Sequence, residues 1–387
     1  MTKKLPADLI SSLKDVKGFD EQQFLETHQI EAQIASIRIN PTKFTIHDSQ
    51  LPIHDKVPWS SYGYYLSERP SFTLDPLFHA GAYYVQEASS MFLEQALKQS
   101  IDLKQSLKVL DLCAAPGGKS TLLQSILSKE SLLVSNELIK ARVNILTENI
   151  IKWSADNVVI TNNDAKDFQR LNKFFDVIVV DAPCSGSGLF RKDENAINEW
   201  SLQNVMLCSH RQQRILADVL PALQPGGVLI YSTCSYSTAE DETIADWIMD
   251  NTGMQSLQLK MDAGWNIIET QSEKHNANGY RFYPDKLKGE GFYIAVFKNC
   301  GERNEENFQK LKKNKLPPVS AIELKILNSM TKNTGDGFLF KWMNSIFLSN
   351  KKTGEHLPFL MEKLYIKNAG IELGEVIRDD FIPAHAL

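Results

Sequence analysis

A chain of 387 residues with 43% hydrophobic content can bury more than one core, so two or three domains are expected. Its formal charge of -5 means that any nucleic-acid binding must rest on a local basic face, and its five cysteines, odd in number, do not suit a disulfide framework and so read as free thiols. The first residues, Met1-Thr2-Lys3-Lys4 and an amphipathic stretch holding Asp8, Lys14 and Asp15, read as neither a signal sequence nor a membrane span, which points to the cytoplasm.

Residues 1–75 read as a small α+β domain, with a helix expected over Phe24 to Ser36 ahead of Ile37-Arg38-Ile39-Asn40-Pro41. From residue 76 to 300 the pattern becomes short apolar strands alternating with longer amphipathic helices, the signature of βαβ units around a parallel sheet. Strands are expected at Lys108 to Leu112, Leu132 to Asn136, Asn157 to Thr161, Val177 to Asp181 and Gly227 to Ser232, with a late hairpin through Phe292 to Phe297. Charged Glu302 to Leu316, closed by Pro317-Pro318, reads as a linker into a small C-terminal domain within 301–387 that holds Phe338, Phe340, Trp342 and Phe347. Three basic groups are available for RNA: Lys140/Arg142/Lys152, Arg191-Lys192 and Lys310/Lys312/Lys313/Lys315. For any one of them a solvated face is the commoner reading.

The strand ending in Asp111-Leu112 runs into Cys113, Ala114, Ala115, Pro116, Gly117, Gly118 and Lys119, and then a helix from Ser120 to Leu127. A strand, a turn of small residues and a helix start present backbone N–H groups to a nucleotide-like ligand. The spacing is neither that of a P-loop nor that of the G-x-G-x-x-G fingerprint, which disfavours ATP and NAD. Glu137 follows the next strand, where an acidic side chain commonly holds ribose hydroxyls. Glu137, Asp164 and Asp181 all follow strand ends. Taken singly, each reads as readily as a surface or capping carboxylate; together they point to an adenosine cofactor. No metal-binding set is expected.

Two cysteines also stand at strand ends, in Asp181-Ala182-Pro183-Cys184 and Ser232-Thr233-Cys234-Ser235. In a doubly wound sheet both loops face the cofactor turn, because ligands lie outside the carboxyl ends of strands 1, 4 and 5. Cys113, Cys208 and Cys300 read instead as small buried hydrophobes. A paired-thiol site suits methyl transfer to carbon 5 of cytosine, a poor nucleophile until a group adds to carbon 6. A free thiol reaches its thiolate at pH 7 for about 2 kcal/mol, far less than a serine alkoxide needs. A carboxyl near N3, for which Asp181 is placed, would make carbon 6 more electrophilic, and a second thiol would help remove the carbon 5 proton or release product. The target base must be looped out or flipped.

With D-L-C-A-A-P-G-G-K at 111–119, D-A-P-C-S-G-S-G at 181–188 and Y-S-T-C-S at 231–235, the chain resembles the RNA cytosine-C5 methyltransferases of the nucleolar-protein/Sun family. The likeness continues through G-A-Y-Y-V-Q-E-A-S-S-M at 81–91 and R-F-Y-P-D-K-L-K-G-E-G-F at 281–292. It implies a Rossmann-like class I methyltransferase domain, S-adenosyl-L-methionine as cofactor, Cys234 as the thiol that attacks the base and Cys184 as the one that assists release. The end of the chain, from Ala369 to Glu375 and from Phe381 to Leu387, resembles the bacterial F-type enzymes of small-subunit ribosomal RNA, which implies RNA as partner and an RNA-binding-like C-terminal domain; the sequence does not reveal the oligomeric state, for which a monomer is the expectation. A transfer-RNA enzyme of the same class and a non-catalytic ribosome assembly factor remain as alternatives, and a nicotinamide-dependent dehydrogenase would explain neither cysteine.

Overall fold

The computed structural model describes residues 4–30, 34–45, 51–301, 316–330, 337–378 and 380–384. Among these, eighteen strands form three sheets. β1 (Ala35–Ile39), β2 (Ile53–Lys56), β3 (Gly63–Leu66) and β4 (Tyr83–Val85) make an N-terminal antiparallel sheet in the order β2-β3-β1-β4. β5 (Lys108–Asp111), β6 (Leu132–Asn136), β7 (Val158–Thr161), β8 (Phe175–Asp181), β9 (Leu223–Thr233), β10 (Gln255–Ser256), β11 (Ile268–Gln271), β12 (Asn278–Phe282) and β13 (Phe292–Lys298) build the central sheet. β14 (Phe338–Trp342), β15 (Ser345–Ser349), β16 (Ile366–Ala369), β17 (Ile371–Ile377) and β18 (Asp380–Pro383) follow.

The central sheet runs β11-β12-β13-β9-β8-β5-β6-β7-β16, with β10 on β13. β5 pairs in parallel with β6 on one side and β8 on the other, and β8 pairs in parallel with β9. The chain therefore reverses direction across the sheet at β5, and the carboxyl ends of β5, β8 and β9 open on one crevice. Alternation within each strand fixes the layers. Val109, Val177 and Val179 join Leu122, Leu146 and Trp153 in one core, while Leu110, Ile178 and Val180 join Phe168, Leu216 and Ile248 in the other. Strands buried on both faces must read as unbroken apolar runs, which is why these segments were legible as strands.

The expected helix over Phe24 to Ser36 is shorter. It spans Glu21–Gln29, starting where the Asp20 side chain accepts from the Gln23 amide, and Ala35-Ser36 belong instead to β1. Pairing of A-S-I-R-I with β3 and β4 outweighs its local helical pattern. Near the end of the chain, β14, β15, β17 and β18 form a third sheet, whereas β16 pairs antiparallel with β7 and extends the central one. The helix Lys351–Lys363 contributes Leu357 and Leu360 to the core that contains Leu110 and Val159. The expected linker lies outside the described residues from 302 to 315, as do the cations at 310, 312, 313 and 315 and the last three residues of the tail.

Candidate active site

The turn after β5 is stitched in place chiefly through its backbone. Ala114 donates its amide to the Asn136 carbonyl at 2.8 Å, and the Asn136 side chain donates to the Leu112 carbonyl at 3.1 Å. Arg142 and Asn149 donate to the Ala115 and Pro116 carbonyls at 2.7 and 2.8 Å. Gly117 sits at φ 115°, where a side chain is strained, and hands over to the helix Gly118–Ile126. Between this turn and Tyr84-Gln86-Glu87 lies a cleft of about 170 Å³, lined also by Cys113, Lys119 and Asp181.

The strand-end carboxylates have different tasks. Glu137 is 4% exposed; its Oε1 accepts from the Ile139 amide at 2.9 Å, while its Oε2 takes no hydrogen bond from the protein and stands 3.5 Å from Arg142. Asp164 accepts from the Lys166 amide at 3.2 Å and caps Ala165–Leu171, and it does not line the cleft. Asp181 accepts from Lys119 at 2.7 Å through one oxygen and from Ser232 at 2.8 Å through the other. Burial alone would push the Lys119 ammonium down, but Asp181, Asp111 and Cys234 together hold it up, so it stays charged. Asp111 is fully buried beneath the turn, accepts from Ser120 at 2.7 Å, and is lifted by that burial to about 7.

Beside the Lys119–Asp181 pair the two strand-end thiols meet, with Cys184 Sγ 3.1 Å from Cys234 Sγ. The hydrogen bond shared with Cys234, then burial, then the charges of Cys234 and Glu240 push the Cys184 thiol well up. Cys184 therefore holds its proton more tightly than a free thiol, and either sulfur can donate in the contact between them. Gly188 allows three loops to converge here. Its amide donates to the Cys234 carbonyl at 2.8 Å, and an added Cβ would lie 2.4 Å from the Gly291 carbonyl oxygen.

A buried carboxylate ties the two cysteine loops together. Glu240 accepts from the Ser185 amide at 2.8 Å, the Ser185 hydroxyl at 2.5 Å and the Ser235 hydroxyl at 2.7 Å, so it grips the residue after each thiol. Burial raises its own pKa against these donors. One residue further on, Asp241 accepts from Thr233 at 2.6 Å, and buried Arg281 binds Asp241, Glu242 and the Tyr236 carbonyl.

The structure thus brings Asp181, Lys119 and Cys113 to the lining of one cleft and joins Cys184 to Cys234 outside that lining, while neither Glu137 nor Asp164 lines it and Asp164 makes a capping bond. Cys208 is buried on a helix as expected, whereas Cys300 is exposed because it follows the end of β13. Sequence reasoning missed Glu240 and gave Arg281 no role. The signal for Glu240 was its place six residues after Cys234, within one turn of the same loop.

Residues 98–298 match the family model for 16S rRNA methyltransferase RsmB/F, and residues 5–88 match that for the N-terminal domain of 16S rRNA methyltransferase RsmF. The ribosomal RNA small subunit methyltransferase F of Aeromonas salmonicida is 32% identical over 369 residues, which cover 90% of this chain and 76% of that protein. Its counterpart in Shewanella loihica is 29% identical over 90% of this chain and 74% of its own length. Among solved structures, a methyltransferase homolog from Pyrococcus horikoshii is 27% identical with a TM-score of 0.61, over 76% of this chain and all of that one. NSun6 from the same organism, solved with SFG, shares the fold at 18% identity and a TM-score of 0.66, over 78% of this chain and 100% of its own. The chain belongs to the RsmB/F family of methyltransferases and is itself an S-adenosylmethionine-dependent methyltransferase.

Proposed function

We propose that this enzyme methylates carbon 5 of a cytosine in small-subunit ribosomal RNA through a covalent bond to Cys234. The observation that carries the reading is the 3.1 Å approach of two sulfurs beside the Lys119–Asp181 pair, at the crevice where a parallel sheet binds its ligand. The residues of the turn fit the cofactor. Cys113 to Lys119 supply a backbone-lined cradle, and the buried Glu137 Oε2, which takes no hydrogen bond within the protein, suits ribose hydroxyls. Asp164 is the further carboxylate near the adenosine end. Bound S-adenosylmethionine supplies the methyl electrophile.

The remaining chemistry belongs to this chain. Lys119 and Asp181 face the base and polarise its N3 edge, which draws electron density from carbon 6. Cys234 Sγ then adds to carbon 6, and the ring electrons move toward carbon 5, which becomes nucleophilic. After methylation, the carbon 5 proton passes to solvent water, the electron pair of that C–H bond restores the ring double bond, and the C6–S bond breaks with its pair leaving on Cys234 as a thiolate. The S–H of Cys184, held at 3.1 Å, donates to that leaving sulfur. A raised Cys184 pKa keeps the donor protonated for this step. Ribosomal RNA as substrate supports a cytoplasmic enzyme. The segment 301–387 we assign to RNA contact and 76–300 to catalysis, with 1–75 as a separate N-terminal unit.

Replacing Cys234 with Ala tests the assignment. Methyl transfer to transcribed small-subunit ribosomal RNA should fall below detection, while S-adenosylmethionine affinity measured by calorimetry stays within about twofold. Appreciable turnover by that variant would contradict the role given to Cys234.

A further inference from the structure

Several basic groups that stand out in the sequence are paired within the chain: Arg142 with Ala115 and Glu137, Arg191 with Glu290, and, at the surface, Lys152 with Glu148. A different set of cations surrounds a cleft of about 510 Å³ between the N-terminal sheet and the loop that leads into β13. Lys56, Tyr65, Trp265, Asp285, Lys286 and Lys288 line it. We propose that this cleft binds a nucleotide flanking the target cytosine in the same RNA, with its base stacked on Trp265, its phosphate held by Lys56 and Lys288, and an exocyclic amino group donating to Asp285. The proposal rests on the RNA reading above and adds the place where the strand is gripped.

Size, fixation and charge each favour this occupant. The cleft is open to solvent, and at about 510 Å³ it has room for a nucleotide. Trp265 is held before any ligand arrives, by edge contacts with Trp59 at 6.3 Å and Phe92 at 6.2 Å, on a turn capped by Asp262 and closed by Asn266 at φ 55°. A preset aromatic surface costs little ordering on stacking a base, and every base offers a face to it. Lys56 has no carboxylate partner among the described residues. Lys288 meets Asp55 at 3.2 Å in a pair more than half exposed on both sides, which water screens and a phosphate can replace. Asp285 differs from these. Its side chain is 2% exposed, it is ion-paired to Lys286 at 2.9 Å, and its oxygens accept no hydrogen bond. A desolvated acceptor already neutralised by a lysine wants N–H donors, which adenine, cytosine and guanine carry on their exocyclic amines and uracil does not.

The cleft also stands at the right distance. Lys288 is four residues from Phe292, whose ring lies 5.3 Å from the Lys119 ammonium, so the chain between them spans at most about 14 Å. The loop is pinned at both ends of this reach. Tyr65 donates to the Lys288 carbonyl at 2.7 Å, and the Glu290 amide donates to Glu87 at 2.9 Å. That separation is one a near neighbour of the target nucleotide can bridge.

Methylation kinetics and filter binding with transcribed small-subunit ribosomal RNA test this. Trp265→Ala should raise the RNA KM about 5- to 150-fold, the range for losing one base–aromatic stack, with kcat and S-adenosylmethionine affinity unchanged, and Trp265→Phe should recover most of the loss. Lys56→Ala, a surface change that leaves folding intact, should lower the slope of log affinity against log salt by about 0.7. An active wild-type enzyme whose Trp265→Ala and Lys56→Ala variants keep its KM and salt slope would overturn the cleft alone. A wild-type protein that neither binds nor methylates the transcript would overturn the RNA reading and the cleft with it.

Discussion

The cofactor turn and the cysteine loops lie side by side at the same sheet edge, yet they are fixed by different means. In the turn, backbone carbonyls and amides of residues 112–117 are held by Asn136, Arg142 and Asn149, and no charged side chain of the turn itself bears the geometry. In the cysteine loops, a single buried carboxylate, Glu240, takes three hydrogen bonds from the residues that follow the two thiols and adds a negative charge near them. The first arrangement presents a surface and leaves its chemistry to the ligand. The second couples position to protonation, so one change at Glu240 alters both.

Breaking that coupling should have the largest effect. Glu240→Ala removes the tie between the loops, and a displacement of about 1 Å between reacting groups costs on the order of 10²-fold in kcat, with cofactor affinity preserved. Glu240→Gln keeps an acceptor oxygen but removes the charge that helps hold Cys184 protonated; its kcat should fall less, and the alkaline limb of its pH–rate profile should move to lower pH. An unchanged profile with reduced kcat would mean that Glu240 acts through shape only. On the cofactor side, Glu137→Ala should weaken S-adenosylmethionine binding about 10- to 100-fold, the range for losing hydrogen bonds to a buried charged acceptor. Asp164→Ala should weaken it less and lower stability by about 1 kcal/mol, because that side chain caps a helical turn. Calorimetry of the two variants separates these.

Beneath the turn the expected effect is on stability rather than on catalysis or cofactor affinity. Burial lifts the Asp111 carboxyl to about 7, above its unfolded value, so the native state keeps a proton that the unfolded chain releases. Its contribution is whole at pH below about 4 and is lost as pH rises toward 7, by about 4 kcal/mol at most. Asp111→Asn should therefore flatten the decline of melting temperature across that window. A decline as steep as that of the wild type would place the titration elsewhere.

The sheet was legible because strands buried on both faces leave continuous apolar runs, as Val177 to Val180 do in β8. The meeting of Cys184 and Cys234 was legible as well, since strand order brings the ends of β8 and β9 together once a parallel sheet is granted. What escaped was set by contacts distant in sequence. Ala35-Ser36 look helical until β3 pairs with them. Glu240 resembles a surface acid in T-A-E-D-E, and only the fold shows that its neighbours are Ser185 and Gln212. The partners of Arg142 and Arg191 escaped for the same reason, because a linear reading cannot place Glu137 and Glu290 beside them. β16 joins the central sheet from the far end of the chain, a pairing across about two hundred residues that no local pattern announces.

The division of labour between the two sulfurs is tested most directly by mass spectrometry of Cys184→Ala incubated with S-adenosylmethionine and transcribed small-subunit ribosomal RNA. The account predicts a stable RNA adduct mapped to Cys234, absent from the Cys184→Ala/Cys234→Ala double variant. Normal release of methylated RNA without adduct, or a crosslink at any other residue, would contradict it.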